Sequence, residues 1–254
     1  MASLRTVYLI GVLIFLYLPI AVLAAYSFNV SPLGANWDRW SWAWYRELAH
    51  DPALLEATLN SLLVAVAAAS LSTAIGTLGA IGLRFRRPRG RRYVLGLLGV
   101  TLMSPEIVMG VALLVLFIAL RLPLGFWTLL LGHVTFCLPF VTVTVLARLG
   151  DFDPRLIEAA RDLGASQGQA LRRIVFPLTL PAIVAGWLLS FTLSLDDVVV
   201  SFFVTGPEFE VLPLRIYSMV RMGVKPEVNA LATLMFAVSL TVVIVSQRLL
   251  HRRS

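Results

Sequence analysis

The sequence predicts an all-α polytopic membrane protein with six transmembrane helices. Three observations carry that expectation. First, the chain of 254 residues is 59% hydrophobic and 14% charged, with a mean hydropathy of +0.86; a soluble domain holds roughly 45–50% apolar and about 25% charged residues. Second, the apolar residues gather in six long stretches almost free of charge. Third, none of these stretches alternates in the manner of a strand, and a span in lipid must pair its backbone groups internally, which leaves the helix. The same numbers exclude a disordered chain. The single cysteine, Cys137, closes no bridge, so a secreted disulfide scaffold is excluded as well.

A spanning helix needs roughly 20 apolar residues. The stretches place spans at about 7–28, 58–83, 93–119, 125–147, 178–203 and 229–248, in one transmembrane domain over 1–254. The first begins after Arg5 and resembles a signal peptide with its Leu-Ala-Ala near residue 25. Its apolar stretch is longer than the roughly 7–15 residues of a signal core, so it is read as an anchor. The second is bounded by Glu56 and Arg84. The third carries Glu106 near its middle, directly after Pro105, and a kink is expected there. The fourth carries no charge, and the fifth carries Asp196 and Asp197.

Orientation follows from arginine. Of 21 basic residues, 20 are arginine and one is Lys225. With both termini cytoplasmic, fifteen lie inside and six outside, and the positive-inside rule selects that arrangement. Six of the fifteen crowd into the turn RFRRPRGRR at 84–92. A turn this short between two spans does not wrap a duplex, so no nucleic-acid partner is expected. In the outer loop, Trp37, Trp40, Trp42, Trp44 and Tyr45 are read as an interfacial belt or a short surface helix, with docking of an external partner as the alternative.

The cytoplasmic segment 148–176 carries the most specific pattern. Asp153 followed by Pro154 marks a helix start. Gly164 marks its stop, because glycine enters the left-handed region freely. Ser166 with Gln169 forms a capping box that starts a second helix. The segment is therefore a stiff helix–turn–helix that offers Leu156, Ile157 and Leu163 to another protein.

Here the sequence resembles a family. Glu158-Ala159-Ala160, then Gly164, then Ile174 and Pro177 match the EAA motif of ABC importer permeases, with Phe176 where leucine is usual. The resemblance runs through LYLPIAVLAAYSFN, WSWAWYREL, LNSLLVAVAAAS, MSPEIVMGVALL and FTLSLDDVVVSFFVTGP, and looks most like the second permease of spermidine/putrescine importers. It implies the type I ABC importer permease fold and a place in the bacterial cytoplasmic membrane. It also implies three partners: a sister permease, a cytoplasmic ATPase dimer seated on the hairpin, and a periplasmic or extracellular binding protein. ATP and magnesium would belong to the ATPase, and this chain would hold no cofactor. The cargo is expected to be a small cationic solute, a polyamine; permeases for iron, thiamine, sulfate or molybdate resemble the same pattern.

Acids within the membrane cost about 2.5–3.5 kcal/mol each on insertion scales, so they face a cavity, a contact or one another. Ser190, Ser194, Asp197 and Ser201 recur at helical spacing and are expected on one face. That face, with Glu106, is the candidate pathway for ammonium groups, and Phe202 and Phe203 add cation–π surface. Asp196, beside Thr192, is expected to brace a neighbouring helix.

No enzyme is expected. The only lysine stands between Val224 and Pro226, which is no phosphate-binding loop. His50, His133 and His251 have no metal-ligand spacing, and His133 with Cys137 is read as core packing. A secondary transporter is the alternative class; such carriers show internal repeats, and none is evident here. The topology divides the net charge of +7 into +11 inside, −1 outside and −3 in the membrane.

Overall fold

A computed structural model describes residues 2–31, 37–86, 88–153, 155–221 and 226–251. Its elements are helical: α1 (Ala2–Tyr26), α2 (Ala43–His50), α3 (Pro52–Ile81), α4 (Arg91–Met103), α5 (Glu106–Ala119) and α6 (Phe126–Gly150), then α7 (Arg155–Asp162), α8 (Gln167–Ala170), α9 (Phe176–Asp196), α10 (Val199–Val204), α11 (Leu212–Arg221) and α12 (Pro226–His251). Among the described residues the only strand-like contact is an isolated bridge between Asn29 and Trp40.

Four helical stretches are long and apolar enough to cross a membrane: Thr6–Tyr26, Pro52–Arg86, Phe126–Gly150 and Gln167–Asp196. The expected third span is not one kinked helix. It is two helices, α4 and α5, meeting at 112°. Pro105 removes an N–H and pushes the residue before it out of the helical region, and Ser104 is extended at ψ 134°. Counting that pair as one crossing gives five among the described residues. The expected sixth span falls in α12, of which Pro226–Val238 is the described apolar part. Pro154, Arg87, Lys225, Arg252 and Arg253, which entered the sequence reading, lie outside the described residues.

The chain divides into two units, Asn60–Pro213 and the remainder. In the first, α6 is the central element, packed against α9, α10, α4 and α5. Its buried core includes Val141, Val145 and Leu149, joined by Ala80 and Val175, all essentially inaccessible. Lipid provides no hydrophobic drive between helices, so close approach through small residues takes its place. Gly76 and Gly186 both press on Val141, Gly132 sits under Val200 and Val204, and Gly110 lies under Phe203. Ser61 Oγ accepts from Leu212 N (2.7 Å) and Asn60 Nδ2 donates to the Glu210 carbonyl (3.0 Å), which pins the loop after α10 to α3.

In the second unit, α12 packs on α1 and α2. The tryptophan-rich loop is an aromatic cluster centred on Phe28: Trp40 stacks on it at 4.2 Å, and Trp42 and Tyr45 lie at 4.8 and 5.1 Å. The short helix anticipated there is α2, held to this unit by Leu48.

The glycine contacts are testable. A Cβ at Gly76 would stand 2.9 Å from Val141 Cγ1, whereas one at Gly79 meets nothing within 4 Å. Gly76→Leu is expected to cost about 1–3 kcal/mol by overpacking, and Gly79→Leu close to nothing. Thermal midpoints of the two variants in detergent, read against the parent chain, check the contrast.

Candidate substrate pathway and coupling hairpin

Two helix breaks build the acidic site. The first is the Ser104–Pro105 break, which leaves Glu106 as the opening residue of α5, exposed, at the end where a helix dipole favours an anion. The sequence reading put this acid midway along a span; the structure puts it at a helix N-terminus. The second break separates α9 from α10. Asp197 turns extended at ψ 122°, and the run Val198-Val199-Val200 follows it. β-Branched residues lower helix propensity, and an Asp side chain offers backbone N–H groups an alternative partner. Asp197 does so here: Oδ1 accepts from Val200 N (3.2 Å) and Oδ2 from Ser201 N (2.7 Å).

The expected single helical face is therefore interrupted, yet Ser194 and Ser201 converge. His133 on α6 joins them. Its Nδ1 shares a hydrogen bond with Ser194 Oγ at 2.6 Å. Its Nε2 lies 3.0 Å from Ser201 Oγ and 3.5 Å from Asp197 Oδ2. One turn away, Cys137 Sγ donates to the Ser190 carbonyl (3.5 Å). His133, Ser194, Asp197 and Ser201 are all buried. A histidine read from sequence as packing is the hub that holds α9 and α10 together across their break. Its signal in the sequence was its place, midway along an otherwise uncharged span. No partner for it was visible.

The two aspartates differ in their surroundings. Asp197 is 7% exposed, and its carboxylate accepts from two backbone N–H groups. Asp196, the last residue of α9, is exposed. Thr192 donates to the Leu188 carbonyl (3.0 Å). Glu106, Asp196 and Asp197 line one cavity of about 330 Å³ with Phe136, Leu193, Val198 and Val199. Three carboxylates beside one aromatic wall suit a cation, because carboxylates replace part of the hydration that an ammonium group sheds. Phe203 is instead packed against Gly110, and its ring meets Phe202 edge-on at 5.5 Å. Among the described residues, no group of three or more His, Cys, Asp or Glu side chains stands close enough to hold a metal ion.

The segment expected to form the hairpin holds two short helices, α7 and α8, on either side of Gly164. Asp153 Oδ1 accepts from Arg155 N (2.9 Å) at the start of α7. Gly164 adopts φ +84°, with Ala165 N bonded to the Ala160 carbonyl and Gly164 N to the Arg161 carbonyl, both at 2.9 Å. This pair of bonds is the Schellman ending. Ser166 and Gln169 close both halves of the capping box, at 2.8 and 3.3 Å. Glu158, Ala159 and Gly164 are exposed and Ala160 half-buried. Leu163 is 90% exposed and Leu156 46%. Ile157 differs from expectation, because it packs against the core cluster instead of facing outward. Ile174 lies in a π-helical turn, Leu171–Val175, and Pro177 in the first turn of α9.

With that geometry in place, comparison with known proteins is decisive. Residues 72–254 match the family described as binding-protein-dependent transport system inner membrane component. The chain belongs to that family. The permease is 52% identical over 251 residues to the spermidine/putrescine transport system permease protein PotC of Haemophilus influenzae, covering 99% of this chain and 98% of that one. It is 54% identical to PotC of Escherichia coli K12, over 96% and 92% of the two chains. With the putrescine transport system permease protein PotI of the same bacterium it shares 45% identity, over 87% and 81%. The fold is similar to that of a bacterial ABC transporter involved in alginate import, with a TM-score of 0.75 at 19% identity over 98% and 95% of the chains. A chain of the MetNI methionine ABC transporter gives 0.69 at 17% identity, over 80% and 99%. The permease is thus a multi-pass membrane protein of the ABC importer class.

The histidine hub predicts a coupling. His133→Ala leaves a buried carboxylate short of a partner and is expected to destabilise the permease by about 3 kcal/mol. In a double-mutant cycle with Asp197→Asn, the two losses should be less than additive by about 1–3 kcal/mol. His50→Ala, at an exposed position, serves as the control.

Proposed function

We propose that this permease is one half of the transmembrane pathway of an ATP-driven polyamine importer, with both of its termini in the cytoplasm. The observation that carries the reading is the convergence of Glu106, Asp196 and Asp197 on one cavity at two helix breaks. The transport systems for which the relatives PotC and PotI are named support it. A polyamine is a flexible string of ammonium groups. The exposed carboxylates of Glu106 and Asp196 receive those groups in turn, while Asp197 and His133 hold the α9–α10 break in shape.

The remaining partners follow from the reading. A sister permease completes the pathway, and a binding protein outside delivers the polyamine. A cytoplasmic ATPase dimer, holding ATP and magnesium, seats on the hairpin. Glu158, Ala159 and Ala160 present the first helix, Gly164 sets the turn, and Ile174 and Pro177 carry motion into α9. Leu163, bare to solvent in the isolated chain, is the apolar contact that a cleft on the ATPase would cover.

Vesicles carrying the complete complex test this reading. Labelled spermidine uptake should require ATP and persist when the proton gradient is collapsed. Glu106→Gln and Asp196→Asn should each weaken apparent affinity about tenfold, the size of one charge-assisted contact. Unchanged uptake in the double variant would sink the pathway assignment. Gly164→Leu, which forces a side chain into the left-handed region, should leave insertion intact and separate ATP hydrolysis from uptake.

A further inference from the structure

The basic turn after α3 serves the sequence reading only as an orientation signal, yet its geometry asks for more. Between Glu56 and Glu106 there is no acidic residue. The end of α3 is a π-helical turn, Gly82–Arg86, and such turns frequently mark functional sites. This turn places Arg84 where its Nε donates to the Leu149 carbonyl at 3.0 Å, with its guanidinium 5.9 Å from the Phe85 ring centroid. Phe85 in turn meets Phe152 edge-on at 6.5 Å. Arg84 is thus half-buried and held in place, with the ends of its fork left over. It lines a cavity of about 370 Å³ together with Arg91, Leu146 and Gly150. Asp151 and Asp153 are near in sequence, but among the described residues neither guanidinium has a carboxylate within 4.0 Å.

Two guanidinium groups on one cavity without a counter-charge call for an anion, and a planar fork suits phosphate oxygens in pairs. The surroundings select the source of that phosphate. Arg91 opens α4, and no residue of α4 is buried. Tyr93, Leu97, Val100 and Met103 are between 65% and 87% exposed along it. A basic recess thus continues directly into a bare apolar helix.

We propose that the cavity between the π-helical turn, α4 and α6 is a binding site for the phosphate headgroup of an anionic phospholipid, whose acyl chains lie along α4. Basic pockets between spanning helices on the cytoplasmic side take such headgroups. The phosphate sits between Arg84 and Arg91. Gly150 leaves room for it, since a Cβ there meets nothing within 4 Å. The site lies apart from the acidic cavity and does not depend on the cargo.

Retention of phosphatidylglycerol by the purified permease complex, counted by native mass spectrometry after washing in detergent, tests the proposal. The parent chain should keep phosphatidylglycerol in preference to phosphatidylcholine. Arg91→Gln, which removes no hydrogen bond seen in the fold, should lower retention about fivefold, the share of one arginine near an anionic surface. Arg84→Gln should act similarly, and Gly150→Leu should exclude the lipid while keeping both charges. Arg89→Gln, in the same turn but off the cavity wall, should leave retention unchanged. Equal retention by the parent and the Arg91 and Gly150 variants overturns the site. Release of the lipid by millimolar inorganic phosphate overturns the lipid as its occupant and leaves a plain anion site.

Discussion

Everything in this chain depends on satisfying polar groups where no water is available. A helix that runs unbroken through lipid pairs its own backbone; a helix that stops does not. The described residues contain two stops within apolar stretches, and each is resolved differently. At Ser104–Pro105 the proline removes one of the donors that would go unpaired. At Asp197–Val198 the freed donors of α10 remain, and the Asp197 carboxylate accepts two of them. That carboxylate would itself be costly to bury alone. His133, 3.5 Å away and bonded to serines on both sides of the break, meets this second cost.

The division of labour among the acids follows from that constraint. A carboxylate occupied in holding a backbone break is poorly placed to release and rebind a passing cation. Asp197 is such a group: it borders the cavity while its carboxylate is bonded to Val200 N and Ser201 N. Asp196 and Glu106 have no comparable duty and are exposed at the same cavity. One residue of sequence separation therefore produces two chemically different carboxylates. The local backbone decides between them: Asp196 is the last helical residue and Asp197 the first extended one.

Much of this was legible in the sequence, and the limits have physical causes. Helical spans, the Asp153 start, the Gly164 stop and the Ser166–Gln169 box depend on residues within a few positions of one another, so composition and spacing reach them. The serine stripe was visible as a periodicity, but periodicity assumes a continuous helix, and Asp197 ends one. The different surroundings of Asp196 and Asp197 were not visible for that reason. His133 was missed because its partners lie 61 to 68 residues away on other elements. Ile157 misled in the opposite sense. An apolar residue on an amphipathic cytoplasmic helix reads as a docking residue until the fold shows the core cluster beneath it. The third span shows how a local rule can be right in kind and wrong in size: Pro105 was expected to kink, and the helices part by 112°.

The hairpin and the acidic cavity are joined by a single element. From Gln167 to Asp196 the helical path is 30 residues long, about 45 Å at the usual rise per residue. At one end the capping box fixes where the rod begins, and the Schellman turn before it fixes the angle of α7. At the other end the rod stops at Asp196. A displacement of the hairpin along this axis has few places to be absorbed, because a helix is stiff along its length. The π-helical turn at Leu171–Val175 is the one irregular stretch. It lies at the hairpin end, with Val175 buried in the core cluster against α6. Beyond that anchor α9 stays helical up to the break, with Pro181 inside it. Under the proposed coupling, motion applied at Gly164 therefore arrives at a helix end where backbone pairing is replaced by side chains. The hub of His133, Ser194, Asp197 and Ser201 is the part that must yield or hold when it does. A clamp made of several moderate hydrogen bonds suits that task better than a continued helix, because its bonds are individually weak and can be lost one at a time.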